Sequence, residues 1–414
     1  MTGYEACVRC GLCLPACPTY VETLVETSGP RGRISLIKAV DEGALDVLSP
    51  GFVEQMSQCL DCRACQAVCP SGVPYGSMLE EMRARIEAAR APRRGPADRA
   101  KRSLLLNWLF AKPSRMRTAA SLVRLAQRTG LAALAKLFGM REAVELAPQI
   151  PDHFFVADDQ RFTVSHAAGT AFLHTGCVMT VAFPSVHEAT IRMLNRARLN
   201  VVVPRDQACC GAIAVHAGDP DFARALARTN IAAFETSGAD VYVVNAAGCG
   251  AELKEYGHLF EDDPSWRDRA QAFASRVRDV TEVLDAMELV PPRGRLDARV
   301  TYQEPCHLVH AQRISGAPRR LLRKIPGLEL VEMQESALCC GSAGIYNLTE
   351  PEMAARLQAR KTGNIEATGA TIVATANPGC ALQVIAGLRS AGARATVKHI
   401  VELLDDAYSS DNKR

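Results

Sequence analysis

Two cysteine runs of identical spacing lie near the start of this 414-residue chain. The stretch CVRCGLCLPACP spans residues 7–18 and CLDCRACQAVCP spans residues 59–70, so both read C-x2-C-x2-C-x3-C-P. Nothing before Cys7 resembles a signal peptide, and no stretch reaches the roughly 18 apolar residues of a membrane-spanning helix, so we expect a cytoplasmic protein. Because thiol buffers keep disulfides open there, metal binding explains the 16 cysteines better than disulfide formation.

The spacing within the two runs is typical of a pair of [4Fe-4S] clusters. Three thiolates separated by two residues wrap around one cluster, and the fourth cysteine of each run reaches the other cluster. The first cluster is expected on Cys7, Cys10, Cys13 and Cys69. The second cluster is expected on Cys59, Cys62, Cys65 and Cys17. Zinc knuckles also use C-x2-C pairs, but they leave the third cysteine and the repeated Cys-Pro of each run unexplained.

The segment between the runs predicts a helix that begins at Pro30 and ends near Gly43. Arg31 and Arg33 lie at the start of this helix. Each cluster with its thiolates carries about two to three negative charges, so these arginines can offset that charge and raise the reduction potential. Two solvated arginines at a helix start are the alternative interpretation.

The other eight cysteines belong to an internal repeat. Residues 169–290 align with residues 298–404, and the matched cysteines are offset by 129 to 131 residues. The first copy contributes Cys177, Cys209, Cys210 and Cys249. The second copy contributes Cys306, Cys339, Cys340 and Cys380. RDVTEVL from Arg278 also matches KHIVELL from Lys398.

Each copy alternates short β-branched runs with helical patterns, which predicts a small parallel sheet. The predicted strands are AFLH, NVVVP and DVYVVN in the first copy and RVTYQ, LELVEM and TIVATA in the second. The cysteines follow the strands, and parallel strands place those ends on one edge, so we expect four thiolates to converge in each repeat. They could hold a further cluster or a zinc ion, or could be buried free cysteines.

The length and the 48% hydrophobic content allow several domains. We expect a multidomain α+β and α/β protein, in which a helical dicluster ferredoxin module precedes two small repeated α/β domains with parallel sheets. The predicted domains are 1–85, a basic helical linker at 86–165, and the repeats at 166–290 and 291–414.

No dinucleotide-binding or P-loop motif is present, so the chain reads as an electron relay without catalytic residues of its own. His216 and His307 lie near cysteines in the sequence and could ligate or hydrogen-bond near a cluster. A lone histidine is more often structural, and we expect that role for both.

Residues 83–141 form a basic segment with fifteen Lys and Arg residues against Glu87 and Asp98, a net charge of +13. Leu122, Leu125, Leu134 and Phe138 can share one helix stripe, and Arg124, Arg128 and Lys136 lie outside that stripe. Such a helix, preceded by Trp108 and Phe110, suits an anionic membrane surface, an acidic partner or a domain seam. Nucleic acid is not expected, because no binding motif or interleaved aromatic residues accompany the charge.

A dicluster module followed by two CCG cysteine-rich domains resembles the iron–sulfur subunits of membrane-associated flavoprotein dehydrogenases and of heterodisulfide reductases. Within that group the chain is most similar to the glycolate oxidase (glycolate dehydrogenase) iron–sulfur subunits. The similarity rests on GPRGRI at 29–34, CCGAIAVH at 209–216, GCGAELKEYG at 248–257, CCGSAGIYNLT at 339–349 and TANPGC at 375–380.

This resemblance implies a complex in which FAD-binding subunits oxidise glycolate to glyoxylate and this chain passes the electrons toward the membrane quinone pool. A lactate or glycerol-3-phosphate dehydrogenase subunit, or a heterodisulfide-reductase-like subunit, is the alternative. One departure concerns the C-x-x-C ending of the fullest CCG pattern: Glu252 and Gln383 stand where its last cysteine would be. The resemblance therefore leaves a cluster, a zinc ion or no metal open in each repeat.

Overall fold

The computed structural model describes residues 3–131, 149–287 and 289–409. Its first module is helical and packs around a small apolar core that contains Ile37, Phe52 and Leu79. Proline opens three of its helices, because its fixed φ suits the first helical turn. The helices are Tyr4–Ala6 and Glu26–Ser28 (both 3-10), Pro18–Thr23, Pro30–Asp41, Pro50–Gln58, Ala64–Ala67 and Tyr75–Arg90.

The helix predicted from Pro30 is present and ends at Asp41. Gly43 follows it with a φ of 74°, a left-handed conformation that glycine adopts without strain.

The first repeat contains a five-stranded sheet in the order β1-β3-β2-β4-β5. Its central strands are parallel, and Ala171 of β2 is aligned with Val201 of β3 and Val241 of β4. Among the described strands of this sheet, β1 alone runs antiparallel to its neighbour. The strands are β1 (Gln160–Phe162), β2 (Gly169–His174), β3 (Leu199–Val203), β4 (Val241–Val244) and β5 (Val277–Asp279).

The second repeat contains a four-stranded parallel sheet in the order β7-β6-β8-β9. These four strands occupy the same positions as β3, β2, β4 and β5 of the first repeat. The internal repeat and the predicted fold class are therefore confirmed. All six predicted strands are present, whereas β1, β5 and β9 were not predicted because each is a short edge strand with a charged residue in it. The strands are β6 (Ala298–Tyr302), β7 (Leu328–Val331), β8 (Ile372–Thr375) and β9 (Thr396–His399).

Helices cover both sheets, and the predicted alternation of strands with helical segments is present in both repeats. The helices of the first repeat are Val178–Ala182, Pro184–Arg196, Ala212–His216, Pro220–Ser237, Ala247–Lys254, Tyr256–Leu259, Arg267–Arg276 and Val280–Ala286. Those of the second are His307–Ala311 (π), Gly316–Arg323, Tyr346–Thr349, Pro351–Ala367, Pro378–Ala391 and Ile400–Ser409.

The basic segment forms a 3-10 turn at Ala91–Arg93, helices at Pro96–Arg102 and Pro113–Arg128, and a π-helix at Ser103–Leu109. Its predicted apolar stripe is only partly observed, since Leu134, Lys136 and Phe138 lie outside the described residues. The side chains of Leu122 and Leu125 are exposed. Within the described ranges, no helix has the length and hydropathy needed to cross a bilayer.

Candidate functional site

The two cysteine runs fold into loops with the same backbone pattern. In the first loop Arg9 and Gly11 have φ values of 56° and 83°, and in the second loop Asp61 and Arg63 have φ values of 50° and 60°. These residues stand two and four positions after the first cysteine of each run. The left-handed residues turn the chain back after each cysteine, so both loops curl around a central space.

Each loop encloses a small cavity that also receives the last cysteine of the other run. The first cavity is lined by Cys7, Cys10, Cys13 and Cys69, together with Cys65. The second is lined by Cys59, Cys62, Cys65 and Cys17. The structure thus brings together the two sets of four thiols that the spacing predicts.

The two cavities differ in burial and in polar surroundings. Cys10 is exposed at the first cavity, whereas all four cysteines of the second are buried. Arg33 Nη1 lies 3.9 Å from Cys17 Sγ. The Tyr75 hydroxyl donates to Cys59 Sγ over 3.5 Å. Donors aimed at ligating sulfurs are a common means of stabilising a reduced cluster.

The crowding of thiols in the second loop fits a bound metal group. Burial, followed by repulsion from Cys306 and neighbouring cysteines, raises the pKa of Cys62 well above its ordinary value. Burial and repulsion also raise the pKa of Cys65. Thiolates packed this closely need a cationic centre, because metal coordination is what makes their deprotonation favourable. The donor set therefore fits an iron–sulfur cluster.

The eight remaining cysteines face one shared cavity of about 470 Å³. It is lined by Cys177, Cys209, Cys210, Cys249, Cys306, Cys339, Cys340 and Cys380. In both repeats a glycine follows the Cys-Cys pair with a positive φ, 96° at Gly211 and 88° at Gly341. A Cβ at Gly341 would lie 2.8 Å from the Ala354 carbonyl oxygen, so this turn requires glycine.

The cavity is shared because the carboxyl edges of the two sheets face each other. Residues that follow β4 hydrogen-bond to residues that follow β8: the Gly248 amide donates to Asn377 Oδ1 over 3.0 Å, and the Ala247 amide donates to the Ala376 carbonyl over 3.0 Å. The prediction placed each set of four thiols in its own domain. The structure adds that both sets open into one space.

Hydrogen bonds between thiols shift the pKa values of individual cysteines in both repeats. In the first repeat, Cys210 and then His174 lower the pKa of Cys249 to about 6, although burial opposes this. In the second repeat, bonds from Cys339 and Cys380 lower the pKa of Cys340 well below its ordinary value. In the first repeat, hydrogen bonds with Cys177 and Cys210 also lower the pKa of Cys209 well below its ordinary value. Each repeat therefore contains at least one thiol whose pKa is shifted toward the thiolate form, which is the form that binds metals.

Two predicted histidines lie between the dicluster module and the shared cavity. His216 Nδ1 lies 3.2 Å from Asp61 Oδ2, and His307 Nε2 donates to the Asp61 carbonyl over 2.8 Å. Their rings stack with centroids 5.9 Å apart. Burial, together with repulsion from His216, lowers the pKa of His307 to about 4, so this ring is neutral at pH 7. Both side chains line the cavity and have polar partners, which is compatible with the structural role expected of them.

A buried ion network beside these histidines was not found from the sequence. Arg63 Nε lies 2.9 Å from Asp61 Oδ1, and Arg63 Nη2 lies 2.5 Å from Glu80 Oε1 and 3.3 Å from Glu255 Oε2. Asp61, Glu80 and His216 offer ligand atoms close together, but Asp61 and Glu80 already pair with the Arg63 guanidinium. The available signal was the pair of charged residues inside the second cysteine run.

Leu60 connects the two regions, since its side chain lines both the second cysteine cavity and the shared cavity. Leu60 and Cys62 pack with Cys339 and Tyr346 in one apolar cluster. The Tyr346 hydroxyl also donates to the Gln58 carbonyl over 2.9 Å. The buried cysteine set of the first module therefore lies directly against the second repeat.

Models of known protein families match each of these regions of the chain. A 4Fe-4S dicluster domain matches residues 3–73, and a cysteine-rich domain matches residues 171–254 and 300–385. The linker region of the glycolate oxidase iron–sulfur subunit matches residues 97–149. The probable glycolate oxidase iron–sulfur subunit of Bacillus subtilis (strain 168) is 40% identical over 97% of this chain and 93% of its own length.

The chain belongs to the glycolate oxidase iron–sulfur subunit family. The glycolate oxidase iron–sulfur subunit of Escherichia coli (strain K12) is 33% identical over 98% of this chain and 95% of its own length. Lactate utilization protein A of Exiguobacterium sp. (strain ATCC BAA-1283 / AT1b) is 30% identical over 56% of this chain and 96% of its own length. Like other members of the iron–sulfur subunit family, the chain is an iron–sulfur protein of an oxidoreductase complex, as the sequence predicted.

Proposed function

We propose that this chain is the electron-transfer subunit of a flavin-dependent glycolate dehydrogenase, in which FAD-binding partner subunits oxidise glycolate to glyoxylate. The chain takes single electrons from these subunits toward the quinone pool at the cytoplasmic face of the membrane. The observation that carries this proposal is the pair of four-thiol cavities, one near the surface and one buried against the second repeat. The family relationship supports glycolate as the substrate of the complex.

In this proposal Cys7, Cys10, Cys13 and Cys69 hold the first [4Fe-4S] cluster, and Cys59, Cys62, Cys65 and Cys17 hold the second. The clusters supply one-electron chemistry. The chain's own residues position and insulate them: Arg33 and Tyr75 direct donors at Cys17 and Cys59. The apolar side chain of Leu60 lies between the second thiol cavity and the shared cavity and lines both.

The four thiols in each repeat form a further metal site in this proposal, either a cluster or zinc. Their convergence and the lowered pKa of Cys249 and Cys340 support metal binding. Iron, sulfide and zinc content with EPR on anaerobically purified protein distinguishes the possibilities. About eight irons without zinc corresponds to two clusters and empty repeats, whereas about twelve or more places a cluster in a repeat.

The test of the electron-transfer role is Cys59→Ser in the assembled complex, with the exposed Ser57→Ala as the neighbouring control. Cys59→Ser should abolish acceptor reduction and remove about four irons, while glycolate still reduces the flavin on the partner subunits. Ser57→Ala should change neither quantity. The proposal fails if the Cys59→Ser complex reduces quinone at the wild-type rate.

Lactate is the alternative substrate, which the similarity to lactate utilization protein A favours over 56% of the chain. The substrate contacts lie on the partner subunits in either case. Flavin reduction by glycolate and by lactate, measured with the copurified complex, distinguishes the two dehydrogenases.

A further inference from the structure

The two central helices of the basic segment expose an unusual number of large apolar side chains. Among the described residues, seven of the fifteen exposed large hydrophobic side chains lie between Leu104 and Leu131. Leu122 is 64% exposed and Trp108 is 45% exposed. The surface that we name the basic apolar surface consists of Leu104, Leu105, Trp108, Arg115, Leu122, Leu125 and Leu131.

A contact between Arg115 and Trp108 joins the two helices that carry this surface. The Arg115 guanidinium lies over the Trp108 ring, 5.0 Å from its centroid, and donates to the Trp108 carbonyl over 3.1 Å. This contact joins the π-helix Ser103–Leu109 to the helix Pro113–Arg128. Arg115 and Leu122 are seven residues apart, which is about two helical turns, so they share a face.

The opposite face of the same segment is already anchored to the protein. Ala120 is buried, and Phe110 and Met116 pack against the main apolar core. Phe110 also lines the shared cysteine cavity. The exposed leucines therefore lie on the outward face of the segment, and its inward face already packs against the apolar core.

The charged residues of the segment that carries this surface all have one sign. Residues 99–131 contain eight Lys and Arg residues and no Asp or Glu. Two of the arginines are neutralised from outside, Arg102 by Glu87 and Arg128 by Asp152. Within the part of the chain that the structure describes, no carboxylate pairs with Lys101 or Lys112.

We propose that the basic apolar surface docks on an anionic lipid bilayer, with Trp108, Leu122 and Leu125 in the headgroup layer and Lys101 and Lys112 against lipid phosphates. Leucine and tryptophan beside Lys and Arg are the composition of interfacial helices. Lysine is depleted in protein–protein interfaces, so an acidic protein explains this surface less well. This inference rests on the proposed function: Phe110, on the opposite face of the segment, lines the shared cavity, so docking here places only this segment between the cavity and the bilayer.

The test is flotation of the intact, cluster-loaded chain with phosphatidylcholine vesicles that contain or lack phosphatidylglycerol. Wild type should float with the anionic vesicles and dissociate in high salt. Lys101→Glu with Lys112→Glu should weaken vesicle binding at least about tenfold, since each cation near an anionic surface contributes measurably. Leu122→Glu with Leu125→Glu should weaken it by a similar factor.

Two control variants change the charge or the exposed apolar area at other surfaces of the protein. Lys38→Glu with Lys324→Glu changes the net charge equally at other surfaces, and Val290, 79% exposed, gives the apolar control Val290→Glu. Both should float like wild type. In a Trp266→Phe background, Trp108 fluorescence should shift to shorter wavelength on anionic vesicles, which reports its insertion directly.

The proposal is overturned if wild type floats equally with neutral vesicles or fails to float with anionic ones. It is also overturned if the Lys101/Lys112 variant floats with anionic vesicles as well as wild type does. It is also overturned if the variants keep flotation but lose binding to the partner subunits, because the surface then docks an acidic protein. Electron transfer from glycolate to a soluble dye by the complex should be unaffected by these variants. A failure of membrane docking is therefore distinguishable from a failure of the electron-transfer role.

Discussion

Two arginines at the start of one helix should differ sharply in their effect on the second cluster. Arg33 is 1% exposed, and its Nη1 lies 3.9 Å from Cys17 Sγ and 3.1 Å from Thr19 Oγ1. Burial lowers the pKa of Arg33, but attraction from Cys59 and other groups outweighs this and keeps the guanidinium charged. Arg31 instead pairs with Glu26 at the surface. Arg33→Gln should therefore lower the reduction potential of the second cluster, and Arg31→Gln should not.

The magnitude follows from Coulomb's law. A unit charge 3.9 Å from a thiolate interacts by about 4 kcal/mol at an effective dielectric constant of about 20, which is about 180 mV for a one-electron couple. The added electron is spread over the whole cluster, so we expect Arg33→Gln to lower the potential by about 60–100 mV. Arg31→Gln should shift it by less than about 20 mV, because the pair with Glu26 is screened by solvent.

The assay is a redox titration followed by EPR on the anaerobic protein. Arg33→Lys retains the charge and should bring the potential back to within about 30 mV of wild type. Equal shifts in the Arg31 and Arg33 variants, or a shift of the Arg33→Gln potential to higher values, would falsify the assignment of Arg33 as the residue that tunes the second cluster.

Three further predictions concern stability, each measured as the free energy of unfolding in urea. Arg63→Met leaves Asp61 buried without its cation and should lower the free energy of unfolding by about 3–5 kcal/mol. The control Arg205→Met, whose ion pair with Asp159 is exposed, should lower it by less than about 1 kcal/mol. Equal decreases would refute a stabilising role for the buried pair. Gly218→Ala places a Cβ 2.4 Å from the Arg83 carbonyl oxygen and should cost more than about 3 kcal/mol, whereas Gly43→Ala, with a similar φ but open space, should cost about 1 kcal/mol. Burial lowers the pKa of His399 to about 4, so its contribution is complete above pH 6.5 and is lost as the pH falls toward 4, because only the unfolded chain takes up the proton. Between pH 7 and pH 5 the free energy of unfolding of His399→Gln should therefore fall by about 2 kcal/mol less than that of wild type. Equal decreases in the two proteins would show that the lowered pKa of His399 is not the cause.

The local features of this protein were readable from its sequence. The spacing of cysteines within a run determines how one short loop can surround a cluster. A β-branched run of four to six residues is itself the pattern of a buried strand. The repeat was visible because matched cysteines recur at nearly constant offsets, and the order of the two sheets confirms it. The short edge strands β1, β5 and β9 were not predicted, since strand pairing with a neighbour, and not their own composition, decides them.

The tertiary structure decided what depends on contacts between distant segments. Arg31 and Arg33 are equivalent in the sequence, and only the packing against the segment that contains Gln55 buries one of them beside Cys17. The spacing of Leu122 and Leu125 fits a buried stripe as well as an exposed one. Periodicity shows which residues share a helix face, but it does not show what that face contacts. The meeting of eight cysteines in one cavity depends on how the two sheets face each other, a relation between domains that cysteine spacing within each repeat does not encode.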